Sequence, residues 1–112
     1  MIYDPFDVVV VPFPFTDRTA AKRRPALVLS QKVIFGAVIE HSVMATITSA
    51  ANPAWPLDVS ITDGSSAGLA AASVVRMKLF TLDNQLILRK CGSLSVADQR
   101  SVAATLRKLL GA

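Results

Sequence analysis

The chain has one cysteine, Cys91, and one histidine, His41, among its 112 residues. A single cysteine excludes an internal disulfide framework and suits a reducing compartment, so a cytoplasmic protein is expected. One histidine and one cysteine leave no His/Cys metal cluster. The eight acidic residues are scattered singly along the chain, so no metal or other cofactor is expected. Long apolar runs are also missing. The longest, Val8–Val11 and Phe35–Ile39, are strand-sized or interrupted by Gly36, far short of the roughly 18–20 residues of a membrane span. Met1–Pro5 has neither the basic start nor the apolar stretch of a secretory signal. Gly-rich phosphate loops and nucleophile elbows are absent too. With no linker and no internal repeat, residues 1–112 read as one domain.

What the chain does contain is 52% hydrophobic and 18% charged residues, the balance of a folded domain. Twelve basic against eight acidic residues leave a net charge of +4, which fits a polyanionic partner without requiring one. Asp7–Val11 is a β-branched run and reads as a buried strand. Pro12 and Pro14 remove two ladder donors, so this strand should end there or lie at an edge. Pro25 opens a strand over Ala26–Ser30 and holds Arg24 extended before it. Val43–Thr48 reads as a third strand, with Val43, Ala45 and Ile47 on one face and Met44, Thr46 and Thr48 on the other.

Leu57–Thr62 alternates as a half-buried strand, Asp63–Ser66 is turn chemistry, and two further strands fall near Ser73–Leu79 and Gln85–Cys91. Gln31–Ser42 is either a short helix or a loop. A C-terminal helix begins after Ser95, with Asp98 completing an acidic capping box. Val102, Leu106, Leu109 and Leu110 line one face of that helix, and Gly111 terminates it. The expected fold is mainly β with a C-terminal helix: a small twisted sheet, partly closed as a barrel.

Two clusters remain that can carry chemistry. Lys22-Arg23-Arg24 precedes Pro25, and Thr46, Thr48 and Ser49 end the third strand. Taken by themselves, a surface charge run and ordinary strand threonines are the simpler reading. Longer stretches change that balance. Asp7–Asp17 followed by Lys22–Ser30 resembles the opening of the MazF/PemK toxin ribonucleases. Ile47-Thr48-Ser49, Trp55-Pro56 with Asp58-Val59, Ala67-Gly68-Leu69, Ser73–Arg76, Phe80–Asp83 and Gly92–Ser95 then follow in the family's order. The resemblance covers nearly the whole chain. It departs at Phe6, where the family commonly has glycine, and in the Phe15–Arg23 loop, so a cleavage sequence does not carry over.

The resemblance implies an SH3-like barrel of the CcdB/PemK type, usually a symmetric homodimer. It also implies a toxin of a type II toxin–antitoxin system that cleaves single-stranded mRNA, and an antitoxin with an acidic, partly disordered segment covering the RNA groove. Metal-free cleavage uses the ribose 2′-OH as nucleophile. On this reading Arg24 stabilises the phosphorane with a guanidinium that stays charged, and Thr48 orders the in-line geometry. Arg23, Thr46, Ser49 and Arg76 are expected as RNA contacts around them, with Phe15 and Thr16 from the variable loop. Trp55, like Phe13 and Phe15, either stacks on bases or packs in the core or at a dimer contact. The alternative class is a CcdB-like toxin that grips DNA gyrase on the same barrel without cutting RNA, because fold alone does not fix function.

Overall fold

The apolar run of the first strand is continuous because that strand is buried on both faces. In the computed structural model, which describes residues 2–13 and 22–111, six strands pair antiparallel. They are β1 (Asp7–Phe13), β2 (Lys22–Val28), β3 (His41–Ser49), β4 (Val59–Ser60), β5 (Ser73–Asp83) and β6 (Arg89–Ser93). Their order is β4-β5-β3-β2-β1-β6, and the sheet curls into a half-barrel. One face carries Val8, Leu27, Ala45, Ile47 and Val75, packed with Val102 of the C-terminal helix. The other carries Val9, Val11, Ala26, Val28, Met44 and Leu82, closed by Tyr3 and Ile87. The mainly β architecture with a C-terminal helix is the one expected.

The prolines decide where the ladders stop. Leu29 donates its N–H to Val43 O across the β2–β3 boundary at 2.8 Å. Strand alternation therefore turns Leu27 and Pro25 toward β3 as well. Pro25 has no N–H to give, and β2–β3 pairing ends at Ala26↔Thr46. On its other side β2 stays paired with β1, including Pro25↔Val10 and Arg24↔Val11, so the strand starts at Lys22 rather than after the proline. Pro12 behaves similarly. Val10 O accepts from Leu88, and β6 pairing goes no further than Val10, so Pro12 faces the side where β1 has become an edge.

Elsewhere the chain departs from its local pattern for reasons of long-range bonding. The Leu57–Thr62 alternation yields only the two-residue β4, because Leu57 takes a left-handed φ of 65° and Thr62 turns toward the C-terminal helix. Asp63–Ser66 winds into a one-turn helix, α2 (Gly64–Ala67), capped by the Asp63 side chain. Gly68 and Gly92 let α2 sit directly on β6, since a Cβ at either would collide with the backbone of the other element. The first half of Gln85–Cys91 is a 3₁₀ turn, Asn84–Leu86. Buried Asn84 binds Ser42 Oγ (2.7 Å) and Gly36 O (3.2 Å) and so fixes the segment before β3. That segment is a wide helical turn at Lys32–Gly36 running into α1 (Ala37–Ile39). Phe6 adopts φ of 70°, the left-handed conformation for which glycine is the strain-free residue, and its ring packs on the core in return.

The C-terminal helix α3 (Val96–Leu110) begins at Ser95, whose Oγ accepts from Asp98 N, and ends at Gly111 with φ of 68°. Val102 is fully buried and Leu106 packs on the core, whereas Leu109 and Leu110 are exposed. The Asp98 carboxylate serves a different purpose from a capping box. It accepts from Thr62 N, Thr62 Oγ1 and Asp63 N, joining the helix to the turn after β4. Burial pushes its pKa up, but the hydrogen bonds from Thr62 and Asp63 outweigh this and leave it below the ordinary 3.8. A depressed carboxylate stabilises the fold above its unfolded pKa and loses that contribution as pH falls through the folded value. Asp98→Ala should therefore cost about 2–3 kcal/mol in urea unfolding at pH 7. The difference from the parent protein should shrink below about pH 4, and an unchanged difference at pH 2.5 would contradict this assignment.

Candidate active site

The sheet face that holds the second core opens, at its other end, into a cleft of about 230 Å³. Beyond Ala26↔Thr46 β2 and β3 are no longer paired, and the next residues on that face are Arg24 and Thr48. Extending the β2–β3 register by two residues sets these two opposite each other. The cleft thus lies where the β2–β3 pairing has ended, beside Pro25. Phe13, Thr46, Trp55, Arg76, Lys78 and Phe80 complete the lining. Arg24 is exposed, with its guanidinium carbon 5.1 Å from the centre of the Phe13 ring.

The two threonines present opposite polarities. Thr46 Oγ1 donates to Lys78 O at 3.0 Å, a carbonyl freed where the β3–β5 register shifts between Ala45 and Thr46. Thr48 Oγ1 instead accepts from Asn52 Nδ2 at 2.7 Å. Ser49 lies just outside the cleft, where its Oγ accepts from Ala51 N in the following turn.

Arg76 is buried and already engaged. Its Nε and Nη2 donate to the two oxygens of Asp58 at 3.2 and 3.1 Å, and Nη2 also donates to Pro53 O at 2.8 Å. The guanidinium stacks 5.0 Å from the Trp55 ring centre, and the other Asp58 contact is the Trp55 N–H at 2.9 Å. One ion pair thereby secures the 52–58 loop and leaves Trp55 half-exposed at the cleft wall. The Arg76 hydrogen bond, opposed by burial and aided by the Trp55 N–H, holds the Asp58 carboxyl below the ordinary 3.8.

Of the residues singled out from sequence, Arg24, Thr46, Thr48, Trp55 and Arg76 line this one cleft. Arg23 does not line it; it lies in a neighbouring depression with Leu88 and Arg89, which shares Arg24 and Pro25 with the cleft. Phe15 and Thr16 fall outside the described residues. Asn52 and Lys78 gave no signal in the sequence, and Asp58 entered only as part of a family-like stretch, because their roles depend on partners brought together by the turn after β3 and by β5. His41 starts β3, with Nδ1 2.8 Å from Ile39 O. Thr48 lies seven positions further along that strand, roughly 20 Å away. Among the described residues no three metal-ligating side chains converge.

Trp55 is the only tryptophan, so its fluorescence reports this loop alone. Arg76→Met should release the 52–58 segment, shifting Trp55 emission to longer wavelength and lowering its anisotropy. In the parent protein the depressed Asp58 carboxyl predicts a constant signal down to about pH 4 and release only below it. A transition centred near pH 6 would show that another group controls the loop.

By sequence, residues 4–110 match the PemK-like, MazF-like toxins of type II toxin–antitoxin systems. No curated protein matches the chain. Among solved structures, the Deinococcus radiodurans MazF of a MazE–MazF complex is 21% identical, with 99% of this chain and 97% of that chain covered and a TM-score of 0.75. The Mycobacterium tuberculosis toxin MazF-mt6 is 19% identical over 94% of this chain and 96% of its own, with a TM-score of 0.74. A mycobacterial endoribonuclease in complex with its cognate antitoxin is 14% identical over 98% and 94%, with a TM-score of 0.75. At these identities the structures show a shared fold, and the match over residues 4–110 carries the further step: this chain belongs to the PemK-like, MazF-like toxin family of type II toxin–antitoxin systems.

Proposed function

We propose that this toxin is an endoribonuclease that cuts single-stranded mRNA in the Arg24–Thr48 cleft, without a metal, and so blocks translation. The observation that carries the reading is the placement of a solvent-facing guanidinium opposite a threonine hydroxyl in one cleft of a family member. The ribose 2′-hydroxyl gives up its proton as its oxygen attacks the adjacent phosphorus, the P–O5′ bond breaks, and the leaving O5′ takes up a proton, so that the products are a 2′,3′-cyclic phosphate and a 5′-hydroxyl. The phosphorane carries one more negative charge than the diester it forms from, and its oxygens meet the fork of Arg24, which remains protonated at any working pH. Thr48 holds a phosphate oxygen and keeps the attack in line. Lys78 adds positive charge to the wall, and Trp55 offers an aromatic face to an unpaired base.

A cognate antitoxin with an acidic segment is the natural occupant of the same basic, aromatic-walled cleft, as a partner for a chain of net charge +4. A homodimer is supported by a second, apolar groove that Ile34, Phe35, Leu106 and Leu110 line between α3 and the sheet. Ile34 and Leu110 are 76% and 65% exposed there, which a second copy would cover.

The test is incubation with diverse single-stranded RNAs in EDTA. Cleavage should persist, leave cyclic phosphate ends, and vanish on a substrate carrying 2′-deoxy substitutions. Arg24→Ala should lose about 10²–10³-fold in rate. His41→Ala should leave the pH profile unchanged. Cleavage that needs metal or survives 2′-deoxy substitution would refute the mechanism, and gyrase inhibition without cutting would favour the binding-toxin alternative. Sedimentation of the same preparation should give twice the chain mass, falling to one chain in Leu110→Asp; a monomeric parent protein would remove the dimer.

A further inference from the structure

A hydroxyl group has one proton to donate and two lone pairs with which to accept. A phosphate oxyanion only accepts. Of the two threonines on the cleft face, Thr46 has already given its proton to Lys78 O and shows the cleft only lone pairs. Thr48 has a lone pair occupied by the Asn52 amide at 2.7 Å, which leaves its proton available. We propose that Asn52 is a positioning residue that fixes Thr48 as a hydrogen-bond donor to a phosphate oxygen in the cleft. This rests on the ribonucleolytic reading for its consequence in catalysis, but the donor role itself extends to any phosphodiester bound there.

The surroundings of Asn52 hold it in that task. Its own N–H closes the turn onto Ser49 O at 3.1 Å, Ala50 N–H is tied to Ala72 O at 2.9 Å, and the next residue, Pro53, gives its carbonyl to Arg76. The amide is thus anchored on both sides, and the fixed φ of Pro53 limits the alternatives. A hydroxyl that accepts a hydrogen bond is also a stronger donor through its own proton, because linked bonds polarise one another. The arrangement accounts for the choice of Thr48 over Thr46 within one strand face: neighbouring groups set their polarities in opposite senses.

The experiment is a double-mutant cycle with Asn52→Ala and Thr48→Val, read by cleavage kinetics and by the affinity of a labelled, 2′-deoxy oligonucleotide that cannot be cut. Asn52→Ala alone should lower kcat about tenfold and weaken oligonucleotide binding several-fold. In the Thr48→Val background the same change should have no further effect, because Asn52 acts through Thr48. Asn52→Asp should cost more than Asn52→Ala, since a carboxylate draws the Thr48 proton to itself. Losses that simply multiply, or an Asn52→Ala protein equal to the parent, would overturn the proposal. A protein that binds but does not cut, yet shows the coupling, would sink only the ribonuclease reading. One that cuts without coupling would sink only the role of Asn52, and one that neither binds nor cuts would sink both.

Discussion

The absence of a single hydrogen, the N–H that Pro25 cannot offer to β3, shapes most of what is distinctive here. Up to Ala26↔Thr46 the strands β2 and β3 form an ordinary ladder, and their shared face is filled with apolar side chains. One residue later the donor is lost, the pairing stops, and the same face becomes a cleft. Strand alternation then dictates what lines it: Arg24 from one side and Thr48 from the other. β2 does not fray there, because β1 continues to pair with it through Lys22. The cleft is therefore a separation within a sheet whose walls are each still held.

A second constraint acts on the wall that has no strand behind it. The segment between β3 and β4 has little regular structure, and Leu57 even takes a left-handed conformation. It keeps its shape through the Arg76–Asp58 pair, with both partners nearly buried and their remaining hydrogen-bonding capacity met by Pro53 O and Trp55 N–H. A buried pair satisfied in this way specifies a conformation more than it adds stability. Its effect is to present Trp55 to the cleft and Asn52 to Thr48. Arg76, expected as a contact with RNA, is in this structure committed to the protein itself, which leaves Arg24 and Lys78 as the exposed positive charges of the lining.

The sequence was most informative where a local rule coincides with the tertiary outcome. Asp7–Val11 reads as a buried strand, and Val8, Val9 and Val11 are buried on its two faces; Ser95 and Gly111 mark the two ends of α3; the alternation of β3 puts Thr46 and Thr48 on one face. Even Phe6, conspicuous as a departure from the family's glycine, corresponds to a positive φ. Legibility failed where distant groups override local pattern. Leu57–Thr62 alternates as a strand should, but Asp98 lies 36 residues from Thr62 and pulls it out of the sheet. Asp98 reads as half of a capping box, and only the fold reveals the three donors that its carboxylate serves instead. Asn52 looks like any polar residue of a Pro-containing loop, because its significance lies in the direction of a proton on its neighbour.

The central claim is that Arg24 and Thr48, separated by the lost ladder bond, grip the same phosphate. It is tested most directly by determining the structure of the toxin with a single-stranded RNA made uncleavable by 2′-deoxy substitution. The account predicts one phosphate within hydrogen-bond reach of both the Arg24 guanidinium and the Thr48 hydroxyl, with Asn52 still donating to Thr48. A strand whose phosphates bypass that gap, running instead through the depression beside Arg23 and Arg89, would contradict it.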